Sequence, residues 1–390
     1  MAEQSKEWID EHTLRVMTHN SGSFTFTLGC VPDEALLKRI DDAQSRFNKT
    51  PTVPQIIDQI QEKVLVSSVH STDTIEGGEF SEEETSNILK TTPKEVQKSA
   101  EKRLFNLKDA LLWVNKHRNP KLEPTQGKPF LLGSITHLHT LVSQGLDEGH
   151  NPVGEFRDNK PGQVTHVGNK DSGGTYRPPK SLKDIEYLLQ AWIEWLNAPA
   201  IINQHVIIRA SLAHYYFELI HPFWDGNGRT GRLVEMLIYE QSGYQLSSSA
   251  IWQYYQKNIL EYFTLFNYCR QKGKAKEAIP NQLFIDFTME GMLQTINSLH
   301  DQCNEMIGFL LYQGNLNIAK FNKVISERQF NVIMVMMTFN KLYSSAELLR
   351  TPQIKALYSN LVQRTFYRDI ASLIDKGYLL EEDGKLKLTI

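Results

Sequence analysis

Between His221 and Arg232 the sequence reads His-Pro-Phe-Trp-Asp-Gly-Asn-Gly-Arg-Thr-Gly-Arg, and most of these residue types can do chemistry. His221 can take a proton near neutral pH. Asp225 is a hard carboxylate of the kind that Mg²⁺ on a polyphosphate needs. Gly226, Asn227 and Gly228 offer successive backbone N–H groups where a helix would start, a cradle suited to phosphate. Arg229 and Arg232 carry planar, permanently charged forks that can clamp phosphate oxygens. A plain helix–helix turn has no need of a His, an Asp and two Arg together. The segment points to nucleotide or phosphate chemistry, and it leaves open which bond is broken, because that depends on how the nucleotide lies.

The elements that must position this loop are helical. Val206 to Ile220 is a strongly apolar run before it, and Leu233, Val234, Met236, Leu237 and Ile238 follow it, with Pro222 and Gly226 preventing one continuous helix. Leu182, Ile185, Leu188, Leu189, Trp192, Ile193 and Leu196 recur at three and four behind a Ser181 N-cap. Leu283 to Tyr312 reads as one or two further helices. Strand-like alternation is scarce, so the fold class is mostly α. Residues 116–129 form a Pro-rich polar connection. Residues 158–180 are too rich in Gly and Pro for helix and suit a small β-hairpin flap, with Gln163 to Val167 as its ingoing arm. A third break is expected at Gly314.

The loop resembles the motif of the Fic family, HPFx(D/E)GNGRxxR, at all nine specified positions. Leu138-His139 with Gly145 downstream, Gly154-Glu-Phe-Arg157, Tyr176-Arg-Pro-Pro179 and Trp192 to Asn197 also resemble Fic core. The resemblance covers roughly residues 30–275. It implies a Fic-type helical bundle that transfers AMP from ATP to a Ser, Thr or Tyr hydroxyl of a target protein and releases diphosphate. His221 would be the base. Asp225, Gly226, Asn227, Gly228, Arg229, Thr230, Gly231 and Arg232 would bind ATP, with Asp225 holding Mg²⁺. Glu261-Tyr-Phe263 resembles paired aromatics beside the nucleotide, so Tyr262 and Phe263 are candidates for packing on adenine, although bare residues of this kind in a helix are more often core. Arg270 is a weaker candidate at that edge. The flap would hold the target by strand addition.

Ser71-Thr-Asp-Thr-Ile-Glu-Gly-Gly78 reads by itself as a helix end with a solvated Glu76. Beside the loop, it resembles the family's inhibitory pattern through Thr72, Glu76 and Gly77. A carboxylate on Arg232 would remove the fork that should grip the γ-phosphate, and breaking a buried pair of this kind costs ~3–5 kcal/mol. Other reactions on the same site stay open: removal of AMP or transfer of another nucleotide. The phosphoryl-transferring toxins of the superfamily carry Lys where Gly228 stands here.

The rest of the sequence narrows the alternatives. With 42 basic and 45 acidic residues in 390, the formal net charge is -3, so nothing global attracts DNA or anionic lipid. Cys30, Cys269 and Cys303 make neither a disulfide framework nor a CxxC site. The polar start and short apolar runs suggest a cytoplasmic protein without a membrane span. His137 and His139 lack metal partners in sequence, and His139 is better explained by the core. His214, seven before His221, is more simply packing than support for the site. There is no P-loop and no GxSxG elbow. Helical patterns from Ile325, an amphipathic run Gln363 to Lys376, and a turn at Asp383-Gly384 between Tyr378-Leu-Leu380 and Leu386 to Ile390 fit a winged helix-turn-helix. Arg364 and Arg368 share a face of its presumed recognition helix. From Lys341 to Ile390 there are eight Lys/Arg against six Asp/Glu, thin for DNA binding. A DNA-binding regulator is thus the non-enzymatic alternative, and weak DNA contact a secondary role at most. The expected organisation is an N-terminal helical region over 1–115, a Fic core over 116–275, connecting helices over 276–324 and the winged helix over 325–390. The expected partners are a protein target, the chain itself through auto-modification, and a second copy in a homodimer.

Overall fold

The structure, a computed structural model, describes residues 3–50, 53–92, 98–117, 131–146, 151–339 and 341–389. Most of the Pro-rich connection 116–129, from residue 118 on, lies outside the described residues. The chain divides into two compact units, residues 1–300 and 301–390.

The first unit opens with a three-stranded antiparallel sheet, β1 (Ser5–Asp10), β2 (Thr13–Met17) and β3 (Ser23–Thr27), with β2 central. The N-terminal region expected to be helical throughout therefore begins as strands. The signal was short: β1 is wholly exposed, and only Leu14, Val16 and Phe26 alternate into the core. Phe26 stacks on Trp195 and meets Tyr216 edge-on.

Helices follow: α1 (Glu34–Lys49), α2 (Pro54–Ile75), α3 (Glu82–Leu89), α4 (Ser99–His117), α5 (Leu132–Ser143), α6 (Leu182–Leu196), the single turn α7 (Pro199–Ile202), α8 (Val206–Ile220), α9 (Asn227–Glu240), α10 (Ser247–Lys257) and α11 (Ile259–Lys274). The mostly α fold class holds. Nearly every residue of α8 and α9 is buried, α8 because it is apolar on all sides. These two form the centre of the unit, and the loop between them is the chemistry-bearing segment. The flap is slighter than a hairpin. Its one bridge pairs Val167 with Tyr176, through N–H···O bonds of 3.0 and 2.9 Å.

Helix α12 (Gln282–Phe321) runs through Gly314 without a break. The break expected there does not occur because one helical glycine costs only about 1 kcal/mol, and Tyr312, Leu316 and Ala319 around it are buried. The unit boundary falls inside α12. The second unit continues with α13 (Glu327–Phe339), α14 (Ser345–Arg350), α15 (Pro352–Leu357), α16 (Gln363–Asp375) and the hairpin β4 (Leu379–Glu382) and β5 (Lys385–Leu388). In this unit a run of short helices is followed by a two-stranded hairpin. Asp383 and Gly384, both at positive φ, make the turn. Val332, Leu348, Phe366, Leu373, Leu379 and Leu386 form a separate core, and Arg364 and Arg368 are exposed on α16.

The sheet is tied to the helices by Asn281, a buried side chain just before α12. Its Nδ2 donates to the carbonyls of Thr27 (3.0 Å) and Leu28 (3.1 Å) and to the Tyr216 hydroxyl (3.1 Å). Asn281→Ala would leave these acceptors without that donor. It is expected to lower stability by about 1–3 kcal/mol, read as an earlier midpoint in urea unfolding.

Candidate active site

The loop is shaped from both ends. His221 caps α8 in the left-handed region, at φ 50° and ψ 62°, and Gly226 opens α9 at φ 80°. Gly226 needs to be glycine for that backbone; His221 accepts the strain because its surroundings hold it. Asn227 clamps the turn with both ends of its amide. Its Oδ1 accepts from Phe223 N–H and its Nδ2 donates to Phe223 C=O, each at 2.9 Å. The first intrahelical bond of α9 is Thr230 N–H to Gly226 O at 2.9 Å, so the N–H groups of Asn227, Gly228 and Arg229 point out of the helix start.

Arg157 is the anchor beneath His221. Its guanidinium is fully buried and faces oxygens that carry no full charge. Nε donates to His221 O at 2.7 Å, Nη1 to Asn159 Oδ1 at 2.5 Å, and Nη2 to the carbonyls of Pro179 and Ile220. Its backbone N–H donates to Pro222 O at 2.9 Å. One side chain thus binds the His221 turn to the base of the flap. Tyr176 adds a second tie, its hydroxyl donating to Glu218 O at 2.5 Å, while Arg270 lies over the Tyr176 ring and bonds Asn267. Asn267 Nδ2 in turn donates to Gly173 O in the flap.

His139 performs a similar task from α5. Its ring stacks on Phe223 at 3.6 Å, its Nδ1 accepts from Gly154 N–H (3.0 Å), and its Nε2 meets Asp225 O (3.1 Å). Nδ1 is therefore the unprotonated nitrogen, and Nε2–H donates to the loop. Burial pushes this imidazole down to about 4, outweighing the bond to Asp225.

The charged groups then fall into pairs. Asp225 Oδ2 accepts from Arg229 Nη2 at 2.6 Å. Burial raises the Asp225 carboxyl, but the Arg229 charge and the Gly226 N–H prevail and hold it below its ordinary value. The Arg229 side chain is buried, and its Nε and Nη1 have no protein partner among the described residues. His221 Nδ1 lies 3.7 Å from Glu218 Oε2.

Arg232 is fully buried. Its Nη2 donates to Glu76 Oε1 at 2.6 Å, its Nε to Thr72 Oγ1 at 2.8 Å, and its Nη1 to the Tyr262 hydroxyl at 3.2 Å. Glu76 also overlies the start of α9, because a Cβ built on Gly228 would sit 2.1 Å from Glu76 Oε1. The carboxylate thus lies against the start of α9 as well as on the arginine. Gly77, at φ 85°, ends α2 just beyond it. Buried Asp73, paired with Arg103 Nε at 2.5 Å, fixes that helix end against α4. Glu76 itself is about a quarter exposed, so the cost of parting it from Arg232 is below that of a wholly buried pair.

Tyr262 does not present its ring as an adenine platform. It is buried, stacked on Tyr255 at 4.8 Å, and its hydroxyl serves Arg232. Only its neighbour Phe263 is partly exposed. The Tyr262 oxygen also meets His214 Nε2 at 3.0 Å, and His214 Nδ1 meets Glu235 Oε2 at 3.1 Å. Sequence reasoning left out Glu235 and the anchoring role of Arg157, since each acts through partners that are distant in the chain or buried, and Glu218, which stands three residues before His221 without a motif of its own. Among the described residues, no group of three or more His, Cys, Asp or Glu gathers as a metal cluster.

Known proteins resemble this chain over the same region. The sequence profile of the Fic/DOC family matches residues 129–239. Protein adenylyltransferases Fic of Drosophila ananassae and Drosophila virilis are each 28% identical over 216 residues, 54% of this chain. Those residues are 39% and 40% of the two relatives, so the chain spans about two fifths of the length of the curated relatives it matches. Among solved structures, Fic-1 from C. elegans aligns with a TM-score of 0.50 at 21% identity, covering 69% of this chain and 72% of that one. A Fic domain containing signaling protein from Bacteroides thetaiotaomicron aligns with a TM-score of 0.53 at 16% identity, covering 69% and 97%. These two likenesses concern the fold.

Two outcomes test the anchors. Arg157→Met leaves the His221, Ile220 and Pro179 carbonyls without donors and is expected to cost about 2–4 kcal/mol, read by urea unfolding. His139 stays neutral in the folded protein down to about pH 4 but takes a proton near pH 6.5 when unfolded. The unfolded state binds more protons in that window, so stability falls as pH drops from 6.5 toward 4. Between pH 7 and 5 the loss from this group should be about 1–2 kcal/mol, and His139→Gln should flatten that slope.

Proposed function

We propose, from the match of residues 129–239 to the Fic/DOC family, that the chain is an auto-inhibited protein adenylyltransferase. It transfers AMP from ATP to a Ser, Thr or Tyr hydroxyl of a target protein and releases diphosphate. The observation that carries this reading is Arg229: a buried guanidinium that Asp225 engages through Nη2 alone, with Nε and Nη1 left without a partner among the described residues, stands beside a helix start whose N–H groups point outward, an arrangement suited to a further anion.

The residues divide the work as follows. His221 accepts the proton as the target oxygen attacks the α-phosphorus. The bond from that phosphorus to the bridging oxygen breaks, and the electron pair leaves with diphosphate. Glu218 Oε2 lies 3.7 Å from His221 Nδ1, on the side of the ring away from the proton to be taken. The N–H groups of Asn227, Gly228 and Arg229 bind phosphate oxygens, with Thr230 and Gly231 in the same turn. Arg229 and Arg232 offset charge on the β- and γ-phosphates. Asp225 fits Mg²⁺, since about half of its side chain is exposed and such an ion is usually held by one carboxylate plus substrate phosphates. When bound, the ion would neutralise charge on the leaving diphosphate. The flap residues around Val167 and Tyr176 offer backbone to an extended target segment.

Glu76 supports the brake. It sits on Arg232 and over Gly228, where a terminal phosphate would need both. Phe263, at the edge of the buried aromatic layer, remains the adenine candidate. No helix among the described residues is long and apolar enough to cross a membrane.

The test uses ATP labelled at the α-phosphorus and, separately, at the γ-phosphorus, with purified protein and lysate. Glu76→Gly is expected to raise protein labelling from the α-position by about 10–100-fold, and His221→Ala to abolish it. Label from the γ-position alone would overturn the adenylyl reading. Equal labelling of wild type and Glu76→Gly would remove the brake.

A further inference from the structure

The buried polar chain behind Arg232 is larger than a helix contact needs. Tyr262 on α11, His214 on α8 and Glu235 on α9 are all buried, and their polar atoms meet end to end. Glu235 Oε1 also accepts from the Tyr255 hydroxyl at 2.7 Å and the Tyr239 hydroxyl at 3.3 Å. Hydrogen-bond logic fixes the direction of the chain. Arg232 can only donate, so the Tyr262 oxygen accepts from it and its O–H must go to His214 Nε2. His214 Nδ1–H then donates to Glu235. Each bond polarises the next, with a positive guanidinium at one end and a carboxylate at the other.

We infer that Tyr262, His214 and Glu235 form a positioning relay that fixes the Arg232 guanidinium for the terminal phosphates of a nucleoside triphosphate. The inference rests on the nucleotide-binding reading above. When Glu76 departs, Arg232 loses its nearby counter-ion and the shorter bond on Nη2, keeping the longer one to the Thr72 carbonyl at 3.4 Å. The relay still grips Nη1 and keeps a carboxylate within the network, while Thr72 holds Nε. The fork is thus prevented from following Glu76 and stays in register with the cradle of α9. None of the three touches substrate. They act on selectivity for the phosphate chain through Arg232.

The test measures ATP, ADP and AMP affinities by titration calorimetry with Mg²⁺, in full-length Glu76→Gly protein. Adding Tyr262→Phe removes one oxygen and keeps the ring. It is expected to weaken ATP about tenfold while AMP stays within about twofold. Glu235→Gln, which keeps the volume and removes the charge, should shift the same ratio in the same direction. Equal losses for ATP and AMP, in step with a lower Tm, would mean that these residues only support the core, and would overturn the relay. Failure of the Glu76→Gly parent to bind ATP would overturn the nucleotide reading itself, an outcome distinct from the first. A readout that needs no folded variant is ¹⁵N NMR of histidine in the wild type. His214 should carry its proton on Nδ1 alone, and a ring protonated on Nε2 contradicts the relay.

Discussion

A guanidinium buried at the start of α9 sets the terms for everything around it. Arg232 cannot shed its charge, and isolating it from water would cost far more than the fold can supply. Its five donors therefore draw partners from separate helices: Thr72 and Glu76 from α2 and Tyr262 from α11. Behind Tyr262 stand His214 of α8 and Glu235 of α9 itself. Helices α2, α8, α9 and α11, packed through one shared apolar core, thus converge on a single charge. Gly231 lets α8 approach closely there, since a Cβ would sit 2.6 Å from Glu218 Oε1 and 3.0 Å from the His214 ring.

The two carboxylates serving Arg232 differ in permanence. Glu235 is fully buried, with each oxygen engaged, and a helix interior gives it no room to move. Glu76 is partly exposed and caps the C-terminal end of α2. A helix C-terminus carries partial negative charge, so α2 itself repels the Glu76 carboxylate, whereas the start of α9 attracts it. A terminal phosphate competes for the same two attractions, Arg232 and the α9 N–H groups. On the proposed reading, Glu76 and such a phosphate are alternative occupants of one anion site. The fixed carboxylate would then keep the arginine in place, and the movable one would decide whether the site is open.

Much of this was legible in the sequence where function is contiguous. The loop His221 to Arg232 and the limits of α8 follow from apolar runs interrupted by Pro222 and Gly226. Thr72, Glu76 and Gly77 were legible only beside the loop, because alone they describe an ordinary helix end. The strands at residues 5–27 were hidden by their brevity and by the exposure of β1. Gly314 misled because local propensity yields to packing on either side. Tyr262 is a candidate adenine contact by resemblance alone, and its residue type favours the core, because paired aromatics in a helix look alike whether they face a nucleotide or a core. Arg157 and Glu235 gave no periodic or motif signal of their role. Their partners lie 20 to 64 residues away for the contacts that matter, as with Arg157 and His221.

Strain at His221 shows why those distant partners are needed. A residue other than glycine in the left-handed region costs about 1–2 kcal/mol, and the Asn227 clamp within the loop engages Phe223 and not the backbone carbonyl of His221. The Arg157 bonds to the Ile220 and His221 carbonyls stabilise that backbone, and the same guanidinium grips Pro179 at the flap base. The position of the base and that of the surface expected to hold the target are therefore not independent. Displacing the flap base would pull on the carbonyl of His221 through one buried side chain. A site that must bring a protein hydroxyl within reach of its base gains from such a tie, because the two are aligned by the same donor instead of by separate loops.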